Sequence, residues 1–356
     1  MQIMYDSPMQ DIEKKTIEET TIDKNTSVIE ERIRNALLRE VYVTPKPGLV
    51  DLNDCGAHDD MDVHTFECSA EAIAPFLFRM YEAGFTFPAG GVRDSSAAAT
   101  RDSSGKRETD SLSELFLRVR EIGKEAERAM FAATKNVNTH KGIIFSMGLL
   151  LTAMGLDAAG PQRELEVASA PTHERASVLT PERESEREAL PYEERICFLA
   201  GSIAGSTLQE ELNTMQHTKA VGADNSSHGE RVFAAYGIDG VRGEAISSFP
   251  CLREVALPRY RSMRDLELSE NDCALDTLLA IMSKLSDTNL VSRGGPDALN
   301  FVQSRASDIL SSHEPGSSSW HHEIEVFNAE CIEKHISPGG AADILALTLL
   351  LTSFAE

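Results

Sequence analysis

The residues best suited to chemistry lie close together between Thr44 and Asp62, in a stretch rich in proline, glycine and aspartate. Pro45 and Pro47 remove backbone donors and favour extended geometry before them, so a shaped loop is expected here. The stretch carries a lysine, a histidine and several carboxylates: Lys46, His58, Asp51, Asp54, Asp59, Asp60 and Asp62. This set is typical of a divalent-cation or phosphate site, and equally of an acidic surface loop with turn-forming aspartates.

A second polar motif, Asn138–Gly142, stands directly before an apolar segment with helical character. Its donors can meet an anion at the positive N-terminal end of that helix. Helix capping by Asn138 or Thr139 is the structural alternative.

Three more polar motifs follow toward the C-terminus, and each is also compatible with a simple turn. They are Arg242-Gly243-Glu244, Asp287–Leu290 with Arg293-Gly294-Gly295, and Ser337–Gly340 with Asp343 in the next helical turn. Asp343 has a sufficient structural role in complementing the helix dipole, while the glycines before it permit close approach of a phosphate. The chain contains no P-loop, dinucleotide fingerprint or serine-hydrolase elbow, so an assignment to a kinase, P-loop or serine-hydrolase class has no support.

The overall charge limits the kinds of ligand that the chain can bind. The 356 residues carry a formal charge of -23, which argues against non-specific nucleic-acid binding. A phosphorylated ligand must therefore meet a local group of cations or a metal ion. Lys46, Lys141, Arg242 and Arg293 each lie beside a glycine or within two residues of one, an arrangement that suits a polyphosphate.

Helical spacing dominates the rest of the chain, and no hairpin or two-residue alternation is present, so the predicted fold class is all-α. We expect one multi-helix domain at 27–356 after a polar N-terminal extension at 1–26. Polar insertions are expected at about 88–110, 157–190 and 311–322. Apolar runs are too short for a membrane span, and the N-terminus lacks the order of a secretion signal, so a cytoplasmic location is expected. The scattered cysteines suggest reduced thiols.

Taken together, the motifs resemble the triphosphoribosyl-dephospho-CoA synthase family. The matching segments occur in the family's order from about residue 30 onward: Thr44–Asp51, Gly56–Met61, Asn138–Gly142, Arg242–Ala245, Asp287–Leu290, Arg293–Gly295 and Ser337–Gly340 with Asp343. The chain departs from the expected pattern at Val137, Ser248 and Ala341, where glycine, glycine and serine are expected.

The resemblance implies an all-α enzyme that uses ATP and 3'-dephospho-CoA as substrates. It joins C1'' of the ATP ribose to the 2'-hydroxyl of the dephospho-CoA ribose and releases adenine. The product is the precursor of the prosthetic group of the acyl carrier protein of citrate lyase or malonate decarboxylase, attached there by a separate transferase. No nucleic-acid or membrane partner is expected.

The resemblance and the chemistry of glycosyl transfer also imply residue roles. A general base must deprotonate the attacking hydroxyl, and His140 or Glu244 is favoured, with His58 behind them. Magnesium would hold the triphosphate, with these predicted ligands: Asp51, Asp59, Asp60, Asp287 and Asp343. ATP would be bound by cations, glycines and polar groups: Lys46, Gly48, Asn138, Lys141, Arg242, Arg293, Gly294, Gly295, Ser337, Gly339 and Gly340.

Two rival functions use the same residues. The first is a metal-dependent hydrolase of N-glycosidic or ADP-ribose bonds, with water as the acceptor. The second is a non-catalytic helical protein that keeps a nucleotide pocket and docks an acyl carrier protein. Dependence of adenine release on dephospho-CoA separates the synthase from the hydrolase.

Overall fold

The structure, a computed structural model, describes residues 28–88, 111–160, 190–217 and 228–355. Within these ranges the secondary structure is helical, with no strand, and the prediction of an all-α fold is confirmed. The extension predicted at 1–26 and most of the insertions at 88–110 and 157–190 lie outside the described residues.

The helices follow one another with short connections through most of the described chain. We number them α1 (28–42), α2 (Val63–Phe85), α3 (Ser111–Ala133), α4 (Lys141–Ala158), α5 (Tyr192–His217), α6 (His228–Tyr236), α7 (Gly240–Ile246), α8 (Leu257–Asp265), α9 (Glu270–Met282), α10 (Thr288–Ser312), α11 (Ser318–Glu333) and α12 (Gly339–Ala355). A short π-helical segment, Cys251–Ala256, leads directly into α8.

Helices α4 and α12 form the centre of the protein, and they pack against each other. Nearly every side chain of α4 from Ile143 to Leu156 is buried, and burial of each aliphatic side chain contributes roughly 1.5–3 kcal/mol. Helix α2 covers α4 on one side, and α9 packs on α12. Lys141–Ala158 is long and apolar enough to cross a membrane, but 72% of it is buried inside the fold, as in the core helix of a globular protein.

Capping residues mark the starts of α2 and α9. Asp62 caps α2 by accepting from the Thr65 amide, and Thr65 Oγ1 accepts from the Asp62 amide, which completes a capping box. Ser269 caps α9 by accepting from the Asp272 amide. These caps satisfy amides that have no partner within their helix. The starts of α4, α10 and α12 lie around the loop at 44–62, which gives that loop several positive helix ends as neighbours.

Two segments differ from their sequence-based description. Helix α10 begins at Thr288, inside the motif that was also compatible with a simple turn. A non-helical break at Gly295 (φ 71°) precedes Pro296, because glycine tolerates this geometry and proline restarts a helix well. The polar insertion expected at 311–322 is only a five-residue connection, 313–317, in the structure. Trp320 beyond it is fully buried, so its apolar ring anchors α11 to the core.

Candidate active site

A cavity of about 780 Å³ lies where the loop at 44–62 meets the N-termini of α4, α10 and α12. Side chains of α3, α6 and α7 complete its walls. Most residues singled out from the sequence line it: Lys46, His58, Asp60, Asn138, His140, Lys141, Arg242, Glu244, Asp287, Arg293, Ser337, Gly339, Gly340 and Asp343. Motifs distant in sequence therefore meet at one cavity.

Several predicted site residues lie outside the cavity lining, namely Gly48, Asp51, Asp59, Gly294 and Gly295. Gly48 has a φ of 71°, and a side chain there would collide with the Ile336 carbonyl oxygen. Its amide donates to Asn328 Oδ1 at 2.8 Å. Gly48 thus has a structural reason to be glycine, because it closes the loop against α11. Gly295 also adopts positive φ, at the break in α10.

The carboxylates of the loop divide into structural and exposed members. Asp51 is buried and accepts from the amides of Lys46 (2.6 Å) and Asn53 (2.7 Å). Asp54 accepts from the Gly56 amide at 2.7 Å and from Asn328 Nδ2 at 2.9 Å. Both shape the loop in the manner of turn-forming aspartates. We call Asp51, Asp54, Asp59, Asp60 and Asp62 the loop carboxylates; Asp59 and Asp60 are exposed.

Lys46 forms a buried ion pair that the sequence did not reveal. Only 1% of Lys46 is exposed, and its Nζ donates to Glu40 Oε1 at 2.5 Å and to the Glu40 carbonyl oxygen at 2.9 Å. Desolvation raises the pKa of Glu40, and Lys46 opposes that rise. A buried cation is stable only with such a partner, so Glu40 fixes Lys46 beside the cavity.

Glu40 belongs to a set of three carboxylates, with Asp287 and Asp343, which we call the buried acid group; Glu40 and Asp287 are buried, and Asp343 is half-buried. Burial raises the pKa of Asp343 well above its ordinary value, and the charges of Asp287 and Glu40 raise it further. Gly142 leaves room for Asp343, because a Cβ at that position would collide with Asp343 Oδ2. The Asp343 carboxyl thus lies against the first turn of α4.

Asp287 connects the starts of two helices. Its Oδ1 accepts from the Asn289 amide at 2.7 Å, in the first turn of α10, and its Oδ2 accepts from the Ala341 amide at 3.1 Å, in α12. A side chain at Gly340 would press against this carboxyl at 3.0 Å. Burial raises the pKa of Asp287 despite these backbone hydrogen bonds. Asp287 therefore has a full capping role whether or not it meets a ligand.

The other cations and His58 lie around the cavity. Arg293 Nη2 donates to His58 Nδ1 at 3.1 Å, and His58 Nε2 is 2.9 Å from Ser337 Oγ. Burial and the Arg293 charge lower the pKa of His58 to about 4, so His58 is neutral and both ring nitrogens are engaged. Lys141 Nζ is 3.2 Å from Glu127 Oε2 and remains partly exposed.

Glu244 has the properties of a base that works near neutral pH. It lies in α7, lines the cavity, and accepts from the Cys251 amide at 3.1 Å through Oε2. Desolvation raises the pKa of Glu244 to about 7, while the Cys251 amide and Arg253 pull it down. A carboxylate poised in this range can take a proton at physiological pH.

His140 is buried in the wall of the same cavity. Its Nδ1 is 2.7 Å from Ser69 Oγ, and the ring meets Phe66 edge-on at 5.0 Å between centroids. Burial, with a smaller contribution from Lys46, lowers the pKa of His140 to about 3. The ring is thus neutral, and its Nε2 has no partner.

Sequence reasoning missed other residues that build the site. Glu40 stands among the apolar positions of α1, and a carboxylate on the buried face of a helix is a signal for a buried charge. Ser69, Glu127 and Asp239 gave no comparable signal. Of the departures from the family pattern, Ser248 adopts φ 61°, the conformation for which the expected glycine is best suited.

No metal cluster is preformed in the part of the chain that the structure describes, since no three His, Cys, Asp or Glu side chains come together there as metal ligands. Any ion at this cavity would need oxygens from a bound ligand as well. The metal roles predicted for Asp51, Asp59, Asp60, Asp287 and Asp343 stay predictions.

The all-α fold and a cavity with cations, carboxylates and helix N-termini define a helical enzyme site suited to a polyphosphate. Residues 26–356 match the ATP:dephospho-CoA triphosphoribosyl transferase family. The chain belongs to this family and is a transferase, which confirms the resemblance seen in its motifs.

Several relatives support the same assignment across most of their length. The chain is 34% identical to the probable 2-(5''-triphosphoribosyl)-3'-dephosphocoenzyme-A synthase of Streptococcus mutans, over 90% of this chain and 94% of the relative. It is 33% identical to the Klebsiella pneumoniae synthase, over 90% and 89% respectively. For the Pectobacterium atrosepticum synthase the identity is 35%, over 91% and 88%. No solved structure gives a significant match.

Proposed function

We propose that this chain transfers the 5-triphosphoribosyl group of ATP to the 2'-hydroxyl of 3'-dephospho-CoA and releases adenine. The observation that carries the proposal is the convergence of the charged residues of separate motifs on one cavity. The relatives are named as synthases of the corresponding product. The triphosphate stays intact in this reaction, which accounts for the absence of a P-loop sequence.

The triphosphate would lie among the cations that line the cavity in the described ranges: Lys46, Lys141, Arg242 and Arg293. Charge-assisted hydrogen bonds from such groups to phosphate oxygens are strong and directional. The first turns of α4, α10 and α12 add backbone amides and positive dipole ends on the same side. Asn138, Ser337, Gly339 and Gly340 would contribute polar or backbone contacts there.

A divalent cation fits the charge balance of the cavity. Its lining contains more carboxylates than cations, namely Glu40, Asp60, Glu127, Asp239, Glu244, Asp287 and Asp343. A triphosphate adds further negative charge, and magnesium favours phosphate oxygens with one or two carboxylates. Asp343 and Asp60 are the members we assign to it, since Asp287 already caps two helices. When bound, the ion would neutralise phosphate charge.

Glu244 is the base in this proposal. As the bond between the anomeric carbon and adenine N9 breaks, its electron pair leaves with adenine, and the ribose ring becomes positive. The 2'-hydroxyl oxygen of dephospho-CoA bonds to the anomeric carbon while Glu244 takes the hydroxyl proton. In the overall balance that proton ends on the released adenine. Glu244 is thereby returned to its ionised form.

The fate of the product is inferred from the family resemblance alone. We propose that a separate transferase attaches it to the acyl carrier protein of citrate lyase or malonate decarboxylase. The proposed location is the cytoplasm, where both substrates are available to a protein whose apolar helices are buried in its core.

Mass spectrometry of the purified protein with ATP, magnesium and dephospho-CoA tests this function. We expect adenine together with a dephospho-CoA adduct that has gained triphosphoribose. A parallel sample with CoA, which carries an extra 3'-phosphate beside the acceptor hydroxyl, should give no adduct. Adenine without adduct would identify a hydrolase instead, and ATP binding without either product would identify a non-catalytic binding protein.

The base assignment has its own test in Glu244→Gln. Removal of a general base lowers kcat by about 10²–10⁴-fold, and the helical circular-dichroism signal should not change. In the unaltered protein, kcat should rise with pH through about 7, because Glu244 must be ionised to act. Glu325→Gln, an exposed change on α11 away from the cavity, is the matched control. Normal kcat in Glu244→Gln would remove this residue from the mechanism.

A further inference from the structure

The side chain of His140 has one nitrogen without a partner, and its position makes this unusual. Three buried side-chain atoms in the described residues lack a hydrogen-bond partner, namely Thr44 Oγ1, Trp320 Nε1 and His140 Nε2. Of these, only His140 lines the cavity. The residue is 2% exposed, and an unpaired polar group at that depth costs free energy unless a ligand or water satisfies it.

Two hydroxyl groups behind the ring fix which nitrogen carries the proton. Thr139 Oγ1 donates to Ser69 Oγ at 2.7 Å, and Ser69 Oγ lies 2.7 Å from His140 Nδ1. Ser69 is fully buried. Since Ser69 accepts from Thr139, its own proton needs an acceptor, and Nδ1 is the one in reach. An imidazole that accepts at Nδ1 and is neutral carries its proton on Nε2.

We propose that Ser69 and Thr139 hold His140 in the Nε2–H tautomer, as a neutral donor to a ring nitrogen of the ATP adenine. This inference rests on the proposed function, because it places the leaving base of that reaction. It assigns His140 to binding rather than to the base role that the sequence suggested, and it makes Ser69 and Thr139 positioning residues.

The surroundings of His140 favour a purine over a phosphate. Phe66 meets the ring edge-on at 5.0 Å, and Phe131 and Phe145 line the same cavity. Flat apolar rings suit a nucleobase, since base–aromatic stacking contributes about 1–3 kcal/mol. The lowered pKa of His140, about 3, agrees with a neutral donor and not with a cation that would seek phosphate.

A neutral donor at this place assists the reaction without transferring a proton. Electron density on the purine ring rises as its bond to the ribose breaks, so a hydrogen bond from Nε2–H becomes stronger in the transition state. His140 keeps its proton throughout. The hydroxyl proton still passes to Glu244, as in the proposed mechanism.

Nuclear magnetic resonance of the full chain with ¹⁵N-labelled histidine reads the tautomer directly. The His140 signals, identified by their loss in His140→Gln, should show an unprotonated Nδ1 and a protonated Nε2. Addition of ATP with magnesium should shift the Nε2 signal. A protonated Nδ1, or an Nε2 signal unmoved by saturating ATP, would overturn the proposal. Neither readout depends on completed transfer, so a failure of the proposed function remains distinguishable.

Two substitutions of His140 distinguish a hydrogen-bond donor from a general base. Glutamine places its amide nitrogen near the position of Nε2, whereas asparagine reaches only as far as Nδ1. We expect His140→Gln, whose amide can still donate, to bind ATP more tightly than His140→Asn, for which ATP binding should weaken about tenfold, the value of one neutral hydrogen bond. If both variants lose about 10²–10⁴-fold in kcat, His140 is the base and the proposal fails.

Ser69→Ala tests the positioning role. Without the Ser69 proton, Nδ1 loses its donor, so we expect a mixture of tautomers in the spectrum and weaker ATP binding. Ser69→Thr keeps the hydroxyl and should restore the Nε2–H signal. Thr277→Ala removes another buried hydroxyl, which donates to the Cys273 carbonyl in α9, and should change neither readout. An unaltered tautomer in Ser69→Ala would overturn the positioning role.

Discussion

The loop carboxylates and the buried acid group contain the same chemical groups, yet their structural roles differ. In the loop, Asp51 and Asp54 accept backbone amides and shape the chain, while Asp60 remains exposed. In the buried acid group, the charges of Asp287 and Glu40 add to burial in raising the pKa of Asp343, and Lys46 neutralises Glu40. A dense run of aspartates in sequence therefore marks a loop conformation, while widely separated acids assemble the charged wall of the site.

The largest effect is expected at Lys46. Lys46→Met leaves Glu40 buried without its cation, and loss of one partner of a buried pair costs about 3–5 kcal/mol. Urea denaturation should show the unfolding free energy falling by this amount. The matched change is Lys141→Met, whose ion pair with Glu127 is partly exposed and contributes about 0–1 kcal/mol. Equal losses of unfolding free energy in the two variants would show that the buried Lys46 pair contributes no more to stability than the partly exposed Lys141 pair.

A smaller effect is expected at the helix caps. Asp287→Ala removes the acceptor from the starts of both α10 and α12, whereas Asp62→Ala uncaps α2 alone. With about 1 kcal/mol for each cap, we expect losses of about 2 and about 1 kcal/mol in thermal or urea unfolding. A larger loss for Asp62→Ala would mean that the buried Asp287 carboxyl is not stabilising either helix.

A third effect is expected in the pH dependence of stability at Asp343. The pKa of Asp343 is higher in the folded than in the unfolded chain. Its contribution to stability is complete below the ordinary carboxyl pKa and is lost as pH rises through the raised value. Asparagine cannot ionise, so Asp343→Asn should become more stable, relative to the unaltered protein, as pH rises in metal-free buffer.

Denaturation at a series of pH values measures that difference, and the exposed Asp60→Asn is its control. A pH trend of the same size in both variants would show that Asp343 is no more confined than an exposed loop carboxylate. Addition of magnesium with ATP should reduce the trend for the unaltered protein, because a nearby cation stabilises the ionised carboxyl.

Much of this organisation could be predicted from the sequence, and the reasons are local. Helical periodicity placed the helices of the core, and Ser269 marked the start of α9. Lys46, Lys141 and Arg293 were recognised because glycines and prolines beside them mark loops at helix ends. Each of these signals depends on neighbours in the chain, where propensity and capping act.

The remaining features of the site depend on tertiary contacts between different elements, which local sequence patterns do not reveal. Glu40 pairs with Lys46 because the loop folds back on α1, and Ser69 reaches His140 from another helix. The π-helical segment Cys251–Ala256 and the short α7 were also not predicted. Short helices have weak periodicity, and tertiary packing rather than propensity decides them.

The cavity's dependence on α12 has a consequence for synthesis on the ribosome. A nascent chain that ends near residue 330 contains most of the described helices, but it lacks Ser337, Gly340 and Asp343, which line the cavity. It also lacks the Ala341 amide that Asp287 binds. The cavity is therefore complete only after the last described helix, α12, has been synthesised and has docked.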